Sequence, residues 1–591
     1  MGSLWRTLTR PVYIPLADKA EDAYHAFSRT GRGVFIFLAS VMVVSSVALL
    51  YILNSSMLTA TPGYGGSLVE GIIGSPRFIN PVLAISDADH DLSILVYSGL
   101  LRATPEGDYV PDLASSYEVS SDGTTYTFHL RPNATFHDGT KVTADDVVFT
   151  IQKIQDAALK SPARADWVGV TVSEPDPETV QFTLKSRYAP FIQNLTVGIL
   201  PKHLWANVSD EEFPFSDLNT QPVGSGPFKV GRISRSPSGI PSSYELDSNS
   251  AYALGAPYLS QIDLHFYQNE SDLADALARG DVEAASGLSP ASLTDIKDAT
   301  IKTAPLNRVF GVFFNQNQSE VLRDHDVRQA LSDAINQQDL VNQVLGGYGT
   351  PLTGPVPPEL LDATTTATKS PSAAAGTTTD IALLAQQELI KQGWTLDSNG
   401  VLTKTTGTGK NAKTETLAFS LSTSDVPELR AAAEYLRRQW DEMGAQVDVK
   451  IFEQGDLSQN VIRPRKYDAL LFGEVIGREL DLYAFWDSSQ RNDPGLNVAL
   501  YANSTADKIL EQLRQTTDTT MRQNLYSQFL AQFNADIPAV FLYAPDFVYS
   551  IPNDIQGLDL GFIETPSDRF LSAPEWHRET DYVWPIFNSK Q

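Results

Sequence analysis

Residues 115–150 read SSYEVSSDGTTYTFHLRPNATFHDGTKVTADDVVFT, and their patterning decides the fold. Tyr126, Phe128 and Leu130 alternate with Thr125, Thr127 and His129, the period of two expected of a half-buried strand. Asp122-Gly123 precedes that strand and Asp138-Gly139 follows it; both dipeptides suit tight turns, because glycine takes positive φ without a steric penalty. Thr143 and Asp146 form a predicted N-cap pair, after which Val147, Ile151 and Ile154 recur at helical spacing. The predicted order is strand, turn, strand, turn, capped helix.

Outward from this stretch, 591 residues exceed what one hydrophobic core serves, so two or more lobes are expected. The composition, 42% hydrophobic and 19% charged, is globular. A net charge of −27 argues against nucleic acid as a partner and against adsorption to anionic headgroups. The chain has no cysteine, which excludes disulfides, thiolate metal sites, a cysteine nucleophile and a lipidated cysteine anchor.

Val34–Leu53 (VFIFLASVMVVSSVALLYIL) is an uncharged run of 20 residues. At ~1.5 Å per residue a helix of that length crosses a hydrocarbon core of ~30 Å. A signal peptide usually has a shorter apolar region and head, so the run is read as an uncleaved membrane anchor. Arg6, Arg10, Lys19, Arg29 and Arg32 precede it, and the first basic residue after it is Arg77. The positive-inside rule therefore predicts a single-pass protein in the cell membrane, with 1–33 a cytoplasmic head and the bulk outside. Residues 54–66 read as a polar, glycine-containing linker.

Later stretches suggest mixed α/β lobes. Gln221–Val230 (QPVGSGPFKV) is a turn entering a strand, and Leu273–Asp281 (LADALARGD) a helix closed by Gly280. Gly311–Asn315 (GVFFN) is followed by Val327–Ile335 (VRQALSDAI). Ile381–Gln392 reads as a helix, and Leu429, Ala433, Leu436, Trp440 and Met443 give one apolar helix face ended by Gly444. Val447, Val449 and Ile451 then alternate as a buried strand. Two Thr/Ala/Gly/Ser-rich segments, Asp362–Asp380 and Thr403–Thr416, are expected to be flexible surface insertions.

These stretches, with the run at 115–150, resemble the signature of the bacterial extracellular solute-binding proteins of family 5, the dipeptide/oligopeptide-binding type. The resemblance spans about 67–565. It implies a two-lobed periplasmic-binding-protein-like fold (type II, cluster C) that closes over a ligand, here preceded by a transmembrane helix. By the same likeness lobe I covers 67–305 with a return at 541–575, lobe II covers 306–540, and 576–591 is a tail. The implied function is capture of peptides for import by ABC transporter permease subunits. Other solutes on the same scaffold (a nickel chelate, an oligosaccharide, a glycopeptide), or a scaffold that has lost solute binding, stay open.

Reactive constellations are lacking. The eight histidines are scattered, none at a metal-binding helical spacing, and no nucleophile elbow, P-loop or dinucleotide fingerprint stands in its required context. No enzyme activity and no cofactor are expected. His137 is read as a turn support, Asp145-Asp146 as a helix cap and Gly224-Ser225-Gly226 as a plain loop.

The ligand candidates lie in Leu470–Gln490 (LLFGEVIGRELDLYAFWDSSQ), where an apolar strand releases into a loop carrying Tyr483, Phe485 and Trp486. In the relatives the corresponding region lines the cleft, and an aspartate there pairs with the ligand's α-amine. Matching on LDLYAFW puts Ile476 at that aspartate and Leu480 at a following proline, so the acid is missing or displaced. Glu474 is the nearby carboxylate that could replace it. The expected lining is therefore Phe472, Gly473, Glu474, Val475, Ile476, Phe485 and Trp486. Asn80, in a PRFINP segment, and Tyr97, at the end of a helix, join it by likeness. The rival expectation is an exposed Glu474 with Phe485 and Trp486 in a core.

Overall fold

A computed structural model of the chain describes Lys19 and residues 24–293, 299–357, 378–407 and 412–584. Most of residues 1–33, expected to be a cytoplasmic head, most of the first low-complexity segment and the end of the tail lie outside the described residues. Two separately packed units emerge: one holds the chain up to Gly63 and from Glu579 on, the other runs from Tyr64 to Arg578.

The first unit contains a helix at Arg29–Met57, longer at both ends than the apolar run, with no buried residue. Ser28 caps it, its hydroxyl accepting from the Gly31 N–H. The expected linker is partly a strand, Thr59–Pro62, paired antiparallel with Thr580–Val583.

The second unit is organised around a 12-stranded mixed sheet. Its central strand, Ala539–Pro552, is shared between two lobes. The first half pairs with Arg308–Phe314 and Gly349–Pro351, the second half with Ala299–Pro305 and Ala284–Ser286. The chain thus crosses between lobes twice side by side, around Leu306–Asn307 and Pro545-Asp546. Hydrophobic cores divide at the same places. Leu306 and Phe547 pack in the first lobe's core, whereas Val309 and Ala544 pack in the second lobe. The return to lobe I is therefore nearer 547 than 541, because the strand up to Ala544 still pays its side chains into lobe II. The body also extends beyond 575: Trp576 is fully buried in the first core, so the tail begins only at Glu579.

The stretch at 115–150 folds as read. Ala114–Val119 and Thr125–Leu130 pair antiparallel within a four-stranded sheet. Phe128 is fully buried, stacked on Tyr117 and edge-on to Phe182. Gly123 and Gly139 sit at φ of 71° and 87°, which an L side chain adopts only under strain. The helix Ala144–Gln155 opens with a Thr143/Asp146 capping box.

Two further expectations change. Thr403–Thr416 is not a loose insertion over its described part: Leu402–Thr406 and Lys413–Thr416 pair as a hairpin. The strand Gln446–Phe452 is not buried throughout, since it forms the sheet edge and leaves Ile451 exposed while Val447 is covered.

Candidate functional site

The strand Ala469–Val475 runs antiparallel to the hinge strand Arg308–Phe314, placing Glu474 opposite Val309, Gly473 opposite Phe310 and Val475 opposite Arg308. Directly opposed residues share a face. Leu470 and Phe313 therefore pack into the aromatic core behind the sheet, with Glu474 on that same face. The Phe310 ring lies over Gly473, where a Cβ would come within 2.6 Å of it, and stacks on Tyr543 at 5.1 Å. Glycine at 473 is thus what lets the aromatic pair lie flat on the strand.

These residues border an interlobe cleft of about 1700 Å³, larger than the ~300–1,000 Å³ of ordinary small-molecule pockets. Ile73, Asp87, Ser289 and Phe547 belong to its lobe I wall; Arg308, Phe310, Glu428, Phe472, Glu474, Phe485 and Tyr543 belong to lobe II.

Glu474 is the outlying group in that wall. It is 3% exposed, and neither carboxyl oxygen has a hydrogen-bond partner. Burial alone pushes its carboxyl well above the usual carboxylate range, because a dry surrounding disfavours the charged form. The Tyr543 hydroxyl and Arg308 Nε, both in the same lining, are also buried without partners. Leaving such groups unsatisfied costs about 1–3 kcal/mol each, a cost that a polar occupant of the cleft would relieve. Most other charges here are engaged. Asp91 holds Arg569 through two bonds of 2.8 and 2.7 Å, and Glu270 accepts from Ser289 and Ser292. Arg465 donates to the Arg491 and Gly495 carbonyls.

Of the residues named from the sequence, Phe472, Gly473, Glu474, Val475 and Phe485 are brought together on the cleft wall. Asn80, Tyr97, Ile476 and Trp486 are not part of that lining. Asn80 is fully buried; its Oδ1 accepts from the Val82 N–H and its Nδ2 donates to Asn219, so it braces its own turn. Tyr97 is packed in lobe I against Gly198 and Gly224. Ile476 turns into the lobe II core. Trp486 is fully enclosed among Phe313, Tyr501, Phe533 and Phe541. The rival expectation of an exposed Glu474 fails, while its core placement of Trp486 agrees with the packing.

The loop after the strand turns away from the cleft as well. Arg478 donates to the Thr104 and Phe562 carbonyls and pairs with Asp568 at 2.7 Å, all in lobe I. Asp481 accepts from Tyr188 of lobe I at 3.2 Å and from Arg514 at 3.0 Å. This second interlobe junction had no signal in the sequence, because its lobe I partners lie 84 to 374 residues away. Tyr543 and Arg308 were also missed; both sit in hinge strands that read only as apolar runs.

The structural readings of His137 and the Gly-Ser-Gly loop hold together. His137 Nδ1 accepts from the Gly224 N–H and Nε2 donates to the Gly226 carbonyl. A Cβ at Gly224 would lie 2.0 Å from the Val96 carbonyl oxygen, so glycine is needed for the loop to reach that helix. Among the described residues no group of three or more His, Asp or Glu is placed to hold a metal ion.

A family model described as "Bacterial extracellular solute-binding proteins, family 5 Middle" matches residues 108–495, from before the signature hairpin to beyond the Glu474 strand. The chain belongs to that family. Among the relatives of this family 5 protein, the oligopeptide-binding protein AppA of Bacillus subtilis (strain 168) is 27% identical over 517 residues, covering 84% of this chain and 89% of AppA. The probable D,D-dipeptide-binding periplasmic protein DdpA of Escherichia coli (strain K12) is 26% identical over 506 residues, covering 83% and 90%. The solved structure of Bacillus subtilis AppA in complex with a nonapeptide superposes with a TM-score of 0.66 at 26% identity, covering 88% of this chain and 99% of that one. The family 5 assignment makes the two-lobed architecture and solute binding properties of this protein.

Proposed function

We propose that this protein is the membrane-anchored receptor of an ABC importer, and that its cleft captures peptides through their free α-amine. The observation that carries the reading is Glu474: a residue bordering a cleft large enough for several extended residues, its carboxyl buried without a partner. The names of the relatives, an oligopeptide-binding and a D,D-dipeptide-binding protein, support the ligand class.

The chemistry follows from the environment. An empty cleft keeps Glu474 neutral, because an isolated carboxylate in a dry wall is too costly. An arriving ammonium supplies the counter-charge, the carboxyl releases its proton to solvent, and a charge-assisted hydrogen bond forms. Lobe closure then removes water from the pair, while Phe310 and Tyr543 offer a flat apolar face to side chains of any sequence. Glu474 lies two residues before the position where relatives carry their acid, so the pairing group reaches the cleft from the strand and not from the loop. Anchoring rests on the helix Arg29–Met57, which is long and apolar enough to cross a membrane. Arg29 and Arg32 in its first turn, with no basic residue after it until Arg77, orient the N-terminus to the cytoplasm.

Titration calorimetry on the full chain with matched free and Nα-acetylated peptides tests this. Free-amine peptides should bind at least about tenfold more tightly, which corresponds to ~1.4 kcal/mol. Glu474→Gln should erase the difference. Equal affinity for both peptide forms in the wild-type protein, or no peptide binding at all, would sink the proposal.

A further inference from the structure

Neither the cleft nor the body's cores use the described residues beyond Arg578. That segment belongs to the unit of the long helix. Thr580–Val583 pairs with Thr59–Pro62, setting Thr59 opposite Val583, Ala60 opposite Tyr582 and Thr61 opposite Asp581. Gly63 N–H donates to the Glu579 carbonyl at 2.8 Å, and the Thr59 and Thr61 hydroxyls donate to the Val583 and Asp581 carbonyls. One residue further, the Trp584 indole N–H donates to Asn54 Oδ1 at 3.0 Å. Asn54 is the first polar residue after the apolar run Val34–Leu53. The C-terminal strand is thereby tied to the end of the helix, at the level where its apolar surface stops.

A two-stranded ribbon of this kind is marginal in water, and its strands supply few apolar contacts of their own. Tyr582 is 66% exposed, Trp584 39% and Tyr51, in the helix's last apolar turns, 73%. Tyrosine and tryptophan, with an apolar body and a polar tip, concentrate where hydrocarbon gives way to headgroups. We propose that Thr580–Trp584 is a second membrane contact, with Trp584 seated in the lipid interface beside Asn54. It rests on the reading of Val34–Leu53 as a membrane span. The partner is the bilayer surface.

The absence of cysteine allows clean single-site labelling of the full chain in phosphatidylcholine vesicles. An environment-sensitive fluorophore is placed at Val583→Cys, with Val44→Cys reporting the span and Glu118→Cys the body surface, and nitroxide lipids serve as quenchers. The label at 583 should be quenched by a headgroup-level nitroxide at least twofold more than the label at 118. Adding Trp584→Ser should cut that quenching by half or more. Oxidation of an Ala60→Cys/Tyr582→Cys pair should form a disulfide, since the two positions are directly opposed. If 583 behaves like 118 while 44 is quenched by deep nitroxides, the anchor stands and this inference falls. If 44 is also unquenched, the span reading fails and takes the inference with it. No effect of Trp584→Ser, or no disulfide, likewise overturns it.

Discussion

Trp486 and Glu474 are buried and His137 partly so, yet each bears on stability in a different way. Trp486 looks like a cleft aromatic in the sequence, but it is fully buried, with its ring 4.7 Å from Phe533 and perpendicular to it. Trp486→Ala is expected to cost about 3–5 kcal/mol of unfolding free energy, as large-to-small core changes do. Chemical denaturation should register that loss equally with and without ligand. Glu474 behaves oppositely: Glu474→Leu removes an unsatisfied buried acid, so denaturation of the apo protein should show unchanged or higher stability while peptide binding is lost. His137 gives a pH dependence. Burial pulls its imidazole down to about 4 in the folded chain, against 6.5 for the ordinary group. As pH falls below 6.5 the unfolded chain takes the proton first, so stability present above 6.5 drains away down to about 4, by at most about 3 kcal/mol. Urea midpoints at pH 7 and pH 4.5 should fall further in the wild type than in His137→Gln.

Elements of local character were legible, and those defined by distant partners were not. The hairpin and capped helix at 115–150 could be read because alternation, Asp-Gly turns and a Thr/Asp cap are all encoded within a few residues. The strand Gln446–Phe452 shares that alternation, yet only its place at the sheet edge leaves Ile451 in water. The loop after Glu474 illustrates the same limit. Its family position suggested the cleft, but Arg478, with its side chain only 5% exposed, commits it to Asp568 across the lobes. Removing one partner of such a buried pair leaves the other charge stranded, which costs about 3 kcal/mol or more. Arg478→Ala should therefore lower the melting temperature and make the 477–483 loop a preferred site of limited proteolysis; an unchanged digestion pattern would contradict the junction's role.

At the scale of the molecule, two neighbouring crossings join lobes that otherwise have their own cores, an arrangement suited to hinge motion. Spin labels at Val168→Cys in lobe I and Leu396→Cys in lobe II, both exposed, report that motion in the full chain. Saturating peptide should shorten and narrow their distance distribution, measured by pulsed electron resonance. Ligand at a hundredfold excess over Kd should also add about 2.7 kcal/mol to stability. No change in distance under saturating peptide would rule out a closure-coupled receptor.

The amino-acid order alone determined the apolar span, the absence of thiol chemistry, the family signature and the mixed α/β character, because each is written in composition or in periods of two and 3.6 residues. It also narrowed the ligand region to one strand and its loop. Only the tertiary structure decided which of those residues border the cleft. Burial belongs to pairs of segments brought together from far apart: Phe533 and Phe541 enclose Trp486, and lobe I takes up Arg478. On the hinge sheet Glu474 is shut in beside Val309, its carboxyl without a hydrogen-bond partner.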